Sequence, residues 1–296
     1  MPPTVHLVRH AQGFHNLSVK NHAIHDPLLT PTGIEQCRIL AKDFPYKKDV
    51  ELVVASPLKR TIYTALFSFP EAIEKRHLKV IAMPELQETS DLPCDTGSSP
   101  AEVAKEFQGK PIDLSALDTP EGQHWNSKTG RWAPHADAII ARAADARKWL
   151  HARPEKDIVV VTHGGFLHYF TEDWIGADRF AGIHHHHLPS SVSYHPHHHL
   201  GEFDIILNNR HAGTGWANTE YRTYTFKSAT EPTLVETPES LARRSGTEKP
   251  LSKEEQKNLQ RTASQKWEEQ GYQKASAIHA KQRLMQIERD VGGYGF

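Results

Sequence analysis

Apolar residues follow two rhythms along this chain. Short β-prone runs occur at residues 4–9 (Val5, Leu7, Val8), 51–55, 80–82 and 158–161. Each is too short for a helix and is bounded by turn or polar residues, so each predicts a strand. The run 158–161 has no polar position, as expected of a strand covered on both faces. Between these runs the period lengthens. Ile34, Cys37, Leu40 and Ala41 share one face of a predicted helix that Pro45 ends, with Thr32 and Glu35 as its capping box. Residues 60–67 predict a second helix with Ile62, Ala65 and Leu66 inward. An Ala-rich helix is predicted over 136–150, and another over 166–174, opened by Gly164 and Gly165. Strand and helix patterns alternate over most of the first 175 residues, which predicts an α/β fold with a mostly parallel sheet.

The alternation fails over residues 176–212, a stretch holding nine of the 21 histidines, at 184–187, 195, 197–199 and 211. It resumes over 213–226, whose second half alternates like a strand. Residues 229–250 are rich in Pro, Thr, Glu and Ser and read as a linker. Ser252 with Glu255 predicts a further capping box, opening a polar helix with sparse apolar positions such as Leu259, Trp267, Ile278 and Met285. That helix either packs lightly on the core or stands out as an arm. The expected organisation is a catalytic domain over 1–228, with a His-rich insertion at about 177–212, then a linker and charged C-terminal helix over 229–296.

Charge narrows the partners. Thirty-five basic and 36 acidic residues leave a net charge of −1, with no global pull toward nucleic acid or an anionic membrane. Any anion site must be local. Cys37 and Cys94 are too few for a disulfide framework and read as free thiols in a reducing compartment. Residues 1–4 run straight into the first strand, and no apolar run reaches membrane-spanning length. The expectation is a cytoplasmic protein, with a nuclear location open.

The candidate chemistry sits where three strands end. Residues 7–16 pass from strand into a loop carrying Arg9, His10, Gln12, Gly13 and Asn16. Residues 53–61 lead from strand into the helix bearing Arg60, and residues 158–165 end in His163, Gly164 and Gly165. Parallel sheets collect ligands at the carboxyl ends of their strands, so Arg9, His10, Arg60 and His163 are expected in one pocket. A neutral imidazole can attack phosphorus, and guanidinium forks match phosphoryl oxygens two at a time. Asn16 is a further candidate donor, with Gln12 a weaker one. Glycines at a helix start, Gly164 first, let an anion approach the amides.

At these positions the chain resembles the histidine phosphatase superfamily, the fold of cofactor-dependent phosphoglycerate mutases and acid-phosphatase-like enzymes. The family's Arg-His-Gly motif has its counterpart in Arg9-His10-Ala11. Its second Arg follows a Ser-Pro-Leu pattern, here Ser56-Pro57-Leu58-Lys59-Arg60, and its second His lies in Thr162-His163-Gly164. The acidic residue corresponds to Glu88 in Leu86-Gln87-Glu88. The likeness runs from residue 4 to about 228. Ala11 replaces the commonest Gly, and Gln12 stands where mutases carry Glu. The resemblance implies a three-layer α/β/α fold, His10 as nucleophile, Arg9 and Arg60 as clamps, His163 as a further donor, and Glu88 as proton donor ahead of Glu85 and Asp91.

The reaction expected on that basis is hydrolysis of a small phosphomonoester through a phosphohistidine. It needs no cofactor and no metal, because guanidiniums supply the positive field. The His-rich stretch could bind Zn²⁺, Ni²⁺ or Cu²⁺, but consecutive histidines lack the spacing of a folded site, and a low-complexity loop is the preferred reading. Three alternatives share the fold. A mutase would want more cations than the Lys105, Lys110, Lys128 and Arg131 found between Asp91 and Pro134. A non-catalytic interaction module would use the C-terminal helix for a protein partner or self-association. A repurposed site would act on a non-phosphoryl substrate. The likeness is nearest to fungal phosphoglycerate-mutase-like phosphatases.

Overall fold

The computed structural model describes residues 1–177, 215–245 and 251–274. The expected His-rich insertion therefore lies, apart from Ala177, outside the described residues, as does the chain beyond 274. In chain order the main elements are β1 (Thr4–Arg9), α1 (Pro31–Asp43), β2 (Leu52–Ala55), α2 (Lys59–Ser68), β3 (Val80–Ala82), α3 (Pro100–Glu106), β4 (Ile112–Asp113), α4 (Ala136–His151), β5 (Asp157–Thr162), α5 (Gly164–Thr171), β6 (Tyr221–Phe226), β7 (Leu234–Glu236), α6 (Pro238–Ser245) and α7 (Lys253–Glu269). The strands form one sheet in the order β4-β3-β2-β5-β1-β6-β7. The run from β4 to β1 is parallel, and β6 and β7 are antiparallel additions. The fold is thus α/β with a mixed, mostly parallel sheet flanked by helices.

Side-chain alternation along the central strands divides the core in two. Val5, Leu7, Val54, Ile158 and Val160 face one way, against Ile139, Ala143 and Leu150 of α4 and Phe166 and Phe170 of α5. Val8, Val53, Ala55, Val159 and Val161 face the other, against Leu40 of α1 and Ile62 and Ala65 of α2. Each of these residues is nearly or fully buried. Covering both faces is what makes residues 158–161 uniformly apolar.

Two local expectations shift. The cap of α1 is Thr30, whose hydroxyl accepts from the Gly33 amide at 3.0 Å, with Pro31 in the first helical position. Glu35 pairs with Arg38 instead of closing a box with Thr32. The expected boundary at 228 is crossed by the sheet. β7, which falls inside the expected linker, pairs with β6 through Tyr224–Glu236, Thr225–Val235 and Phe226–Leu234. The 229–250 stretch looked like a linker because an edge strand of three residues with one buried side chain leaves little apolar signal.

α7 opens with the expected Ser252–Glu255 capping box. It does not stand out as an arm. Trp267 is 1% exposed, with its ring 5.9 Å from Trp174 and 6.1 Å from Tyr169, and Ala263 is fully buried beside it. A sparse apolar face thus concentrates its burial in one large side chain. Trp267→Ala is expected to cost about 3–5 kcal/mol, the range for large-to-small changes in a core. Urea unfolding of the full chain checks this; a loss near zero would mark α7 as peripheral.

Candidate active site

β1, β2 and β5 run parallel, so their carboxyl ends emerge side by side. The ladder continues past the strands: the His10 amide donates to the Thr162 carbonyl at 2.9 Å, and the Ser56 amide to Val161 at 3.0 Å. His10, Ser56 and His163 are therefore neighbours, and the ring centroids of His10 and His163 are 5.2 Å apart.

His10 is 2% exposed and held in one tautomer. Its Nδ1 lies 2.7 Å from the Ala11 carbonyl oxygen, which can only accept, so Nδ1 carries the proton. Its Nε2 accepts from Arg60 Nε at 3.3 Å, so a lone pair is directed at the guanidinium. Burial, with Arg60 and Arg9 nearby, holds this imidazole well below its ordinary pKa, and it is neutral near pH 7. The amide of Asn218 donates to the His10 carbonyl at 2.9 Å and pins the backbone from the far side.

Arg60, fully buried on the first turn of α2, joins the site together. Its NH1 donates to the Cys94 carbonyl at 2.6 Å, and its NH2 to Asp95 Oδ1 at 3.0 Å and His163 Nδ1 at 3.1 Å. Asp95 is held in turn by the Ser90 hydroxyl at 2.5 Å. Since guanidinium only donates, His163 Nδ1 is the acceptor and its proton sits on Nε2, facing Ser56 Oγ at 2.9 Å. Both nitrogens of His163 are thus committed. The structure brings it to His10 as expected, but with its N–H turned onto Ser56.

Glu88 sits at the start of α5, where Gly165 and Phe166 donate their amides to its two oxygens at 3.1 and 2.8 Å, and its neighbour Thr89 adds a third at 2.9 Å. Gly165 makes this possible, since a Cβ there would lie 2.7 Å from Glu88 Oε1. Burial and the nearby Asp95 raise the carboxyl's pKa, against the pull of Arg60 and the amides; the upward push prevails. Arg142 of α4, 1% exposed, fixes the segment by donating to the carbonyls of Glu85, Gln87 and Glu88 at 2.7, 2.5 and 3.0 Å. Lys128 reaches Gln87 Oε1 at 2.8 Å, and burial lowers its ammonium to about 7.

The remaining expected residues divide. Arg9, 6% exposed, donates through NH1 to the Trp216 carbonyl, while its buried Nε has no partner among the described residues. Asn16 accepts the Gly13 amide on Oδ1 at 2.9 Å, which leaves its NH₂ as the donor. Gln12 is turned away: its Oε1 accepts from Thr30 at 2.8 Å and serves the start of α1. Gly164 is the first residue of α5 beside His163, but the two amides on Glu88 belong to the residues that follow it. Glu85 pairs with Arg131 and Asp91 with Lys274, which takes both of these competitors of Glu88 into ion pairs.

A family model described as the histidine phosphatase superfamily (branch 1) matches residues 5–210. The chain belongs to that superfamily. A probable phosphatase of Schizosaccharomyces pombe is similar at 31% identity over 169 residues, covering 56% of this chain and 76% of that protein. A phosphoglycerate mutase-like protein of Arabidopsis thaliana is similar at 30% identity over 200 residues, covering 56% and 72%. Among solved structures, a phosphoserine phosphatase mutant of Entamoeba histolytica in complex with phosphoserine shares 18% identity, with a TM-score of 0.40 over 79% of this chain and 95% of that one.

Five residues of this histidine phosphatase site carry no role in the sequence pattern: His15, Asp95, Lys128, Arg142 and Asn218. Asp95 ends a short turn and Asn218 precedes β6, both outside the periodic stretches that predict elements. Arg142 is masked by the helical period of α4, where a buried Arg looks like a solvated one. His15 stands between Phe14 and Asn16 with nothing in its spacing to mark it as buried.

Four buried imidazoles give the fold an acid limit. His10, His15 and His163 are held well below the ordinary value, and His6 at about 4. In the unfolded chain each titrates near ~6.5. Below that pH the unfolded state takes up protons that the native state refuses, so stability falls as pH falls, by up to about 1.4 kcal/mol per pH unit for each imidazole. Glu88, with its raised pKa, acts in the opposite sense but with one proton against four. Urea unfolding is therefore expected to give clearly lower stability near pH ~5.5 than near ~7.5; a flat profile would mean that these rings protonate in the native state.

Proposed function

We propose that this histidine phosphatase superfamily member hydrolyses phosphomonoesters through a phosphohistidine on His10. The observation that carries the reading is the tautomer of His10: the Ala11 carbonyl takes the Nδ1 proton, and Nε2 offers its lone pair toward Arg60. A buried neutral imidazole whose lone pair points at a fixed guanidinium is set to meet the phosphorus of an anion held by that guanidinium. The names of relatives described as phosphatases support the same reading.

In the scheme, Arg9 and Arg60 hold the phosphoryl oxygens, with Asn16 donating its NH₂. His10 Nε2 attacks phosphorus as the ester P–O bond breaks, and the departing oxygen takes a proton from Glu88. Glu88, now a carboxylate, accepts a proton from water. The water oxygen attacks phosphorus, the N–P bond breaks, and phosphate leaves with His10 and Glu88 restored. A raised carboxyl pKa suits both steps, because it favours the protonated form when an acid is needed and makes the carboxylate a stronger base when the proton must be taken back. Arg142 is the positioning residue for Glu88, and Asp95 for Arg60. Guanidiniums supply the field that a divalent cation provides in other phosphoryl-transfer sites.

Two measurements test the scheme. Hydrolysis of p-nitrophenyl phosphate is expected to survive EDTA, and activity that disappears in EDTA and returns with Zn²⁺ or Mg²⁺ would refute the metal-free route. His10→Ala should abolish turnover and phosphoenzyme trapping together. Glu88→Gln removes only the proton donor, so its single-turnover loss should be larger on an alkyl phosphate than on p-nitrophenyl phosphate, by about tenfold or more, within the reach of general-acid effects of roughly 10²-fold. Equal losses on the two esters would exclude Glu88 as the acid.

A further inference from the structure

His15 is a buried titratable group with no part in the scheme above. It is 7% exposed, and its ring centroid lies 5.3 Å from that of His10, close to the 5.2 Å that separates His163 from His10. His163 has both nitrogens committed, one to Ser56 and one to Arg60. Neither nitrogen of His15 has a hydrogen-bond partner among the described residues, and its Nδ1 is closed off from solvent. Burying Nδ1 of this imidazole without a partner is unfavourable, and a phenyl or leucyl group would fill the space without that cost.

The loop is shaped around this ring. Gly13 has φ of −98°, a value any residue adopts, so its backbone does not call for glycine. Space does: a Cβ on Gly13 would lie 2.8 Å from both Nδ1 and Cε1 of His15. The Gly13 amide is tied to Asn16 Oδ1, which fixes the turn that carries His15. Burial and the positive charges of Arg60 and Arg9 keep the ring neutral, so it holds one N–H and one lone pair.

We infer that His15 is a phosphoryl-binding residue of this chain, its ring N–H donating to an oxygen of the anion held over His10. It takes the donor task that His163 does not perform while its own N–H faces Ser56. Gly13 is then the residue that admits the ring to the pocket. The inference rests on the phosphatase reading, since it names a contact with the same phosphoryl group.

The test compares orthovanadate inhibition and p-nitrophenyl phosphate kinetics in the parent chain and in His15→Phe, His15→Asn and His15→Gln, with urea unfolding of each. His15→Phe is expected to weaken vanadate binding about tenfold or more and to raise KM in parallel, with unfolding like the parent's. Asn places a donor near the Nδ1 position and Gln near Nε2, so recovery by one of them identifies the donating nitrogen. Parent-like vanadate affinity in His15→Phe would overturn the inference and leave the phosphatase reading intact. A parent chain that neither binds vanadate nor hydrolyses the ester would instead overturn the phosphatase reading, and this contact with it. Should His15→Phe fail to fold, the Asn and Gln variants decide: a difference of about tenfold between them supports the contact, and equal affinities refute it.

Discussion

The buried guanidinium of Arg60 is the constraint on which the site depends. Moving a full charge out of water costs several kcal/mol unless the surroundings replace its hydration. Here the replacement comes from four directions. The Asp95 carboxylate, the Cys94 carbonyl and the two imidazole lone pairs of His10 and His163 all point at one side chain. Those partners come from three different stretches of chain. Satisfying Arg60 therefore fixes the end of β1, the end of β5 and the 92–95 turn relative to the start of α2. The same requirement fixes the tautomers. Because guanidinium has no acceptor, His10 and His163 must turn lone pairs toward it and carry their protons elsewhere.

This explains how much of the site was legible in the sequence. The positions of Arg9, His10, Arg60 and His163 follow from strands that end together, and strand ends are visible as apolar runs that stop at polar residues. What each nitrogen does depends on contacts between distant stretches. His163 looked like an N–H donor to substrate; its hydrogen bonds to Ser56 and Arg60 leave it orienting the arginine. Gln12 looked available and is occupied by Thr30. Asp95, 35 residues from Arg60, has no periodicity to link the two. The sheet itself was legible for the same reason in reverse: its central strands are buried on both faces, so tertiary structure writes itself into local composition. The β6–β7 edge is only partly covered, and there the pattern faded enough to resemble a linker.

The C-terminal region shows how a polar segment can still belong to the fold. α7 has a capping box and few apolar residues, which is the composition of a solvated helix. Its attachment uses one indole against Trp174 and Tyr169, Gln256 bonded to the Trp174 amide and to Asp173, and the segment that follows. There the His135 Nδ1 donates to the Lys274 carbonyl at 3.1 Å, and Lys274 pairs with Asp91 near the site. Among the described residues no helix is long and apolar enough to cross a membrane, which agrees with apolar surface being concentrated in the two layers beside the sheet.

The charges at the strand ends form a balance that a phosphoryl dianion would reset. At the strand ends the Arg60 guanidinium meets Asp95 and Arg9 lies near Glu88 and Glu220, while the Glu88 carboxyl is pushed up toward its neutral form and the imidazoles stay uncharged. At an effective dielectric near ~20, a unit pair ~4 Å apart interacts by about 4 kcal/mol, so an arriving dianion both gains from the arginines and acts on its neighbours. In the proposed scheme its charge would raise the pKa of Glu88 further and favour the protonated acid until the ester bond breaks. Once the phosphoryl group were on His10 and the alcohol had left with the proton, Glu88 would be an anion beside the remaining phosphoryl charge, an arrangement that favours its taking a proton back from water. On the proposed scheme, one carboxyl would act as acid and base in succession because the ligand's changing charge alters its surroundings between the two steps.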